Sequence, residues 1–174
     1  MRLIILHLLL FVSVFCYAQK VQSKFFGYGL GSKMYHMQRA MEAEGYVNFK
    51  ENENLLSAYD VSFGGVTWPI VEFEYYKDQF YHVYFSKNYK SKSDALFMFN
   101  SLKQRLKEKY KGICWEKKND LGVSRLMAND DVRSMFLDLS YSMSKGGEMY
   151  YYLTLSYYEN YIWDKSSEND DNEL

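Results

Sequence analysis

The chain has 174 residues, with 21 basic and 22 acidic side chains and a formal net charge of −1. That balance speaks against a nucleic-acid-binding protein, which needs a basic face, and two cysteines are too few for a disulfide-built scaffold. The composition is unusual in its 18 tyrosines.

Residues 1–18 read as a signal peptide. Arg2 supplies a positive start, 3–15 form an apolar run broken only by His7 and Ser13, and Cys16-Tyr17-Ala18 places small residues at −3 and −1 of a cut before Gln19. The run falls short of the about 20 residues of a membrane span. Phe15 is too large for a lipoprotein signal that would use Cys16. The expected product is periplasmic or secreted, with no stable membrane span after cleavage. It keeps one thiol, Cys114, inside the apolar triplet Ile113-Cys114-Trp115, where burial as a small hydrophobe is expected over reactivity. About 155 residues then remain, enough for one compact domain over 19–163.

Within that domain the hydrophobic period alternates between helix and strand. Ser32 precedes a helical pattern carried by Met34, Met37 and Met41, with Tyr35 and Ala40 beside them, ended by Gly45. Residues 48–56 are polar and weakly patterned, either a short strand or a loop. Residues 59–63 and 66–76 read as strand around Gly64-Gly65, with Val71, Phe73 and Tyr75 on one face and Glu72 and Glu74 on the other. Pro69, the only proline, marks an edge position or a bulge. After a turn at 77–79, residues 80–86 return as a strand with Tyr81, Val83 and Phe85 expected on a common face.

Residues 91–111 form the longest helix in the sequence. Ala95, Met98, Phe99, Leu102, Leu106 and Tyr110 make one apolar stripe, Ser91 or Ser93 can cap its start, Asp94 suits its positive end, and lysines with Gly112 close it. Strands are expected next over 122–128 after a turn at 117–120, and over 135–143, where Met135, Leu137, Leu139, Tyr141 and Met143 alternate with Asp138, Ser140 and Ser142. A last strand carries Met149, Tyr151, Leu153, Leu155 and Tyr157. The pattern predicts an α+β fold of two αβββ units, about 25–90 and 91–160, forming a largely antiparallel sheet with two helices packed on one face. Residues 164–174 are acidic and apolar-poor and are expected to be disordered.

The opening Phe26-Gly27-Tyr28-Gly29-Leu30-Gly31-Ser32, followed by a helix ending in Glu44-Gly45-Tyr46, resembles small exported proteins of Bacteroidota. The stretch 106–112 is similar to the end of their second helix. The resemblance implies an envelope or secreted setting and no activity. At the level of topology, tandem αβββ units also look like β-lactamase-inhibitor-like proteins and small outer-membrane assembly modules.

No motif for catalysis stands out, and no catalytic residue, metal ligand or cofactor is assigned. His36 and His82 sit at no ligand spacing and lack a Cys or carboxylate cluster. The segment 27–31 is glycine-rich before a helix but lacks dinucleotide-binding spacing. Glu72 and Glu74 share a strand face with no carboxylate partner from another strand to complete a glycosidase pair. The tyrosines are the remaining signal. Tyr76, Tyr84, Tyr150, Tyr152 and Tyr158 fall on the phase opposite to the core and form a candidate aromatic face. The expected function is a non-enzymatic binding module recognising a protein through that face. A glycan-binding module, using Trp68, Trp115 or Trp163, is the alternative, and a small hydrolase ranks last. The sequence leaves no segment to cover the second sheet face, so these rings are expected to be partly exposed. The plainer reading is that they only pack across strands.

Overall fold

The computed structural model describes residues 20–46, 49–52, 54–118 and 124–170. The expected signal peptide, 1–18, lies outside the described residues. The fold is α+β, built on a mostly antiparallel sheet. In chain order the elements are β1 (Lys24–Phe25), β2 (Tyr28–Gly29), α1 (Met34–Ala43), β3 (Phe49–Asn52), β4 (Leu55–Phe63), β5 (Val66–Tyr76), β6 (Gln79–Tyr89), α2 (Lys92–Lys109), β7 (Cys114–Lys118), β8 (Ser124–Asn129), β9 (Arg133–Met143), β10 (Met149–Glu159) and α3 (Asn160–Asp170).

Eight strands make the main sheet in the order β3-β4-β5-β6-β10-β9-β8-β7, and β1 and β2 form a separate ribbon. Each neighbouring pair is antiparallel. Four strands therefore follow each of the first two helices, where three were expected. The difference lies in the short, polar outer strands. Phe49–Asn52 pairs with β4, and Cys114–Lys118 pairs with β8 although its last residues read as a turn. Backbone pairing in such strands does not depend on an apolar alternation, so the hydrophobic period does not reveal them.

Tight hairpins follow from local chemistry. Gly64-Gly65 joins Phe63 to Val66 with φ of 61° and 73°, and Lys77-Asp78 joins Tyr76 to Gln79 with φ of 50° and 63°. Positive φ at both central residues is the two-residue turn whose twist matches the strands it joins. The expected single interrupted strand around Gly64 is thus a hairpin, β4–β5.

Two irregularities re-aim side chains. The β4–β5 ladder skips Asp60 and Pro69. Ala58 and Val61, and Trp68 and Val71, are all fully buried, so both strands change phase there and Pro69 sits where no ladder bond is needed. Between β5 and β6 the register shifts at Glu74/Tyr75. That bulge leaves Phe80 and Val83 in the core and moves Tyr81 off their face, correcting the expected grouping of Tyr81 with Val83 and Phe85.

The core lies between the sheet and the first two helices. Met34, Met37 and Met41 of α1 and Ala95, Phe99, Leu102 and Leu106 of α2 join Phe73, Phe85, Leu137, Leu153 and Leu155 in one cluster. Ser91 Oγ accepts from Asp94 N at 3.3 Å, capping α2, and Gly112 takes φ 94° beyond its end. Between the helices runs the N-terminal segment. Phe25 is almost wholly buried, with its ring 5.2–6.4 Å from those of Phe63, Phe80, Phe85 and Tyr157. Main-chain bonds between Gly31 N and Phe80 O and between Phe80 N and Ser32 O tie this segment to β6. Tyr141 and Met143 keep the core phase of β9 but are exposed, because the strand outruns the core. No helix among the described residues is long and apolar enough to cross a membrane.

Candidate functional site: the outer face of the sheet

The face turned away from α1 and α2 is built from the alternate residues of six strands. The pairing register lines up Glu72, Tyr84, Ser156, Phe136, Met127 and Trp115 as one row crossing β5, β6, β10, β9, β8 and β7. A second row beside it runs Glu74, His82, Tyr158, Ser134 and Asn129. Side chains alternate along a strand, so both rows follow once the inward residues are fixed by the core.

The candidate tyrosines fall at four places. Tyr158 belongs to an aromatic cluster: it stacks on Phe136 at 5.3 Å and 10° and meets Trp163 at 5.0 Å. Tyr84 lies on the adjoining row, its ring 6.2 Å from His82. Tyr150 and Tyr152 stand further along β10, where Tyr150 donates to Glu148 Oε2 at 2.7 Å and Tyr152 accepts from Ser142 Oγ at 3.1 Å. Tyr76 sits apart at the β5–β6 turn with Lys77 Nζ 5.0 Å above its ring. All five are half-buried. Burial raises the pKa of Tyr84 and Tyr158, and the Glu148 carboxylate raises that of Tyr150.

Trp163 comes from α3, and this corrects two expectations. Residues 160–170 are helical where disorder was expected from Asp164, and the second sheet face is partly covered. The helix is held at its start. Asn160 N donates to Val132 O at 2.8 Å, Ser134 Oγ donates to Asn160 Oδ1 at 2.8 Å, and Glu159 Oε2 accepts from Ile162 N at 2.8 Å. A cap and one large ring offset the ordering entropy that the polar composition cannot. Residues 171–174 lie outside the described residues.

Beneath Trp163 is a small polar cluster. Glu74 Oε2 takes a hydrogen bond from Tyr81 Oη at 3.0 Å and lies 3.0 Å from His82 Nδ1. His82 is buried, so it is a satisfied histidine and not a solvated one. Burial pushes the Glu74 carboxyl up, but the hydrogen bond and charge of His82, with the Tyr81 hydroxyl, outweigh it and hold the pKa below the usual value. Glu72 is two residues away on the same face of β5 and outside this network. Across the row, Arg125 Nε donates to Asp138 Oδ1 at 2.6 Å while its guanidinium lies over Phe136 at 5.4 Å. Among the described residues no three His, Cys, Asp or Glu side chains come together as metal ligands.

Of the three tryptophans, Trp68 is fully buried on the core side and donates to Phe63 O at 3.0 Å. Trp115 and Trp163 are on the outer face and partly exposed, and they are separated by Met127, Phe136 and Tyr158. Cys114 is half-buried with Sγ 3.9 Å from Lys107 O. Reasoning from sequence missed the Glu74–Tyr81–His82 cluster because the bulge that assembles it leaves no mark in the periodicity. It missed Phe136 and Met127 as face residues because the abundance of tyrosine points only to tyrosines. No protein-family model, curated protein or solved structure matches the chain.

Proposed function

We propose that this chain is an exported, non-enzymatic binding module of the cell envelope or extracellular space that recognises a protein partner through the outer face of its sheet. One observation carries the reading. Tyr84, Tyr150, Tyr152 and Tyr158 share that face with Phe136, Met127 and Trp115, all of them at least partly accessible to solvent. Rigid rings with a polar tip provide contact area at low entropic cost, and Tyr, Trp, Met and Arg are the residues enriched where proteins meet. The symmetric strand order, β3 to β6 followed by β10 back to β7, supports reading the chain as two repeats of a helix followed by a meander, each with four strands. A glycan would stack on isolated indoles; the apolar run of Trp115, Met127 and Phe136 across β7, β8 and β9, extended by Tyr158 of β10 stacked on Phe136, favours a protein.

The test is affinity capture from envelope extract with the wild-type chain and with Tyr150→Ser/Tyr152→Ser. Binding partners recovered by the first and lost by the second, at equal thermal stability, support the reading. Equal recovery sinks it, and so does a variant that fails to fold, since the rings are then structural.

A further inference from the structure

The apolar run on the outer face has a spacing of its own. Trp115, Met127 and Phe136 are consecutive in the pairing register of β7, β8 and β9, and Tyr158 of β10 stacks on Phe136. Trp115 is 47% exposed, and Met127, Phe136 and Tyr158 are half-buried. Neighbouring strands lie about 4.8 Å apart, so Trp115 and Phe136 stand about 9.6 Å apart, and the run as far as Tyr158 covers about 14 Å. A polyproline II helix has three residues per turn at about 3.1 Å each, a repeat of about 9.3 Å. Building on the protein-binding reading of this face, we infer that the run binds a proline-rich segment of a partner protein in the polyproline II conformation, lying across the strands.

Two prolines one turn apart on such a helix meet Trp115 and Phe136, with the Met127 side chain between them. Proline has no N–H, so the segment presents carbonyl acceptors and no main-chain donors. The face supplies the donors. The Trp115 indole N–H and the Arg125 Nη groups have no hydrogen-bond partner among the described residues, while Arg125 Nε is tied to Asp138 and its guanidinium lies over Phe136. A segment added as a β-strand needs the unpaired main-chain groups of a sheet edge, which the middle of a face does not offer. A second copy of this chain is not the occupant, because its only proline, Pro69, lies within β5. The segment is already extended before it binds and loses little entropy, so a short aromatic run is enough to hold it.

Isothermal titration of the full chain with decaproline, a Gly-Ser peptide of equal length and cellohexaose tests this. Decaproline is expected to bind one to one, and the other two at least about tenfold more weakly. Trp115→Ala is expected to weaken decaproline binding about tenfold or more, and Trp115→Phe, which keeps a ring and removes the donor, about threefold. Decaproline bound no more tightly than the Gly-Ser peptide, unchanged affinity in Trp115→Ala, or cellohexaose bound in place of decaproline each overturn the proposal. Should Trp115→Ala lose its fold, Trp115→Phe and the comparison of ligands on the wild-type chain decide. Decaproline failing while capture still responds to Tyr150→Ser/Tyr152→Ser removes the proline segment and keeps the protein-binding face; both failing removes both.

Discussion

The Trp163 indole stands edge-on to the His82 imidazole, with ring centroids 5.3 Å apart and planes at 82°. The same indole lies 5.0 Å from Tyr158 and 6.2 Å from Tyr81. Apart from Ile162, the helix that carries it brings little else that is apolar to the sheet, and Tyr161 points to solvent. That ring supplies most of the apolar contact of α3 with the sheet, beside the hydrogen bonds at the start of the helix.

Trp163→Ala is expected to release α3 while leaving the sheet intact. Because the indole is 38% exposed, the loss of global stability should be modest, about 1–2 kcal/mol. Hydrogen exchange reads the local effect: amides of 163–170 should lose protection while those of β6 and β10 keep theirs. Unchanged protection in α3 would show that the Asn160 and Glu159 bonds suffice to hold the helix.

The Glu74 carboxyl titrates below its ordinary value in the folded chain, because the His82 and Tyr81 bonds outweigh its burial. A depressed carboxyl pKa stabilises the fold above the unfolded-state value, and that contribution disappears as pH falls through the folded-state value. The stability difference between wild type and Glu74→Gln should thus be larger at about pH 5 than at about pH 4, and smaller again at about pH 3. Denaturant melts at these three pH values check the slope. A difference that grows on acidification would mean that burial dominates and that the carboxyl is raised.

The two kinds of period in the sequence carry the helices and the long strands, because core burial imposes them. Met34, Met37 and Met41, and Ala95, Phe99, Leu102 and Leu106, stand where spacing of three and four puts them. Three features have no such signature. Edge strands β3 and β7 pair through the backbone. The phase changes at Pro69 and Tyr81 insert or skip a residue, so a strict alternation misplaces the side chains beyond them and puts Tyr81 on the wrong face. Phe25 enters the core from a two-residue strand, too short for any period to show. On the outer face, alternation places Tyr84, Tyr150, Tyr152 and Tyr158 correctly, but which of them meet depends on register, which a single strand does not reveal. The cover supplied by α3 is hidden by its acidic composition.

Leu102→Ala and Phe25→Ala probe the core from its two sides. Leu102 is 3% and Phe25 1% exposed. Truncation should cost about 2–5 kcal/mol for the leucine and about 3–5 for the phenylalanine. Lys103 neighbours Leu102 but points outward, where it donates to Glu116 Oε2 at 3.3 Å. Lys103→Ala should cost under about 1 kcal/mol, the range of a surface ion pair. Similar losses for Leu102→Ala and Lys103→Ala in denaturant melts would mean that α2 is rotated on the sheet. A Phe25→Ala cost near zero would mean that the N-terminal segment does not occupy the core.

Tyr75 offers the opposite kind of change. It is 3% exposed, packed against Phe80 at 5.7 Å, and its hydroxyl is buried with no hydrogen-bond partner among the described residues. Burial, aided by the nearby Asp78 carboxylate, pushes its pKa far up, so the group stays neutral and gains nothing from ionising. A buried polar group left unsatisfied costs about 1–3 kcal/mol. Removing the oxygen while keeping the ring retains the packing and deletes that cost. Tyr75→Phe is therefore expected to stabilise the chain, by about 1 kcal/mol once the small void is charged against it. Thermal and denaturant melts of the two chains measure it, and a destabilised Tyr75→Phe variant would mean that the hydroxyl is bonded in solution, to water or to a residue outside those described.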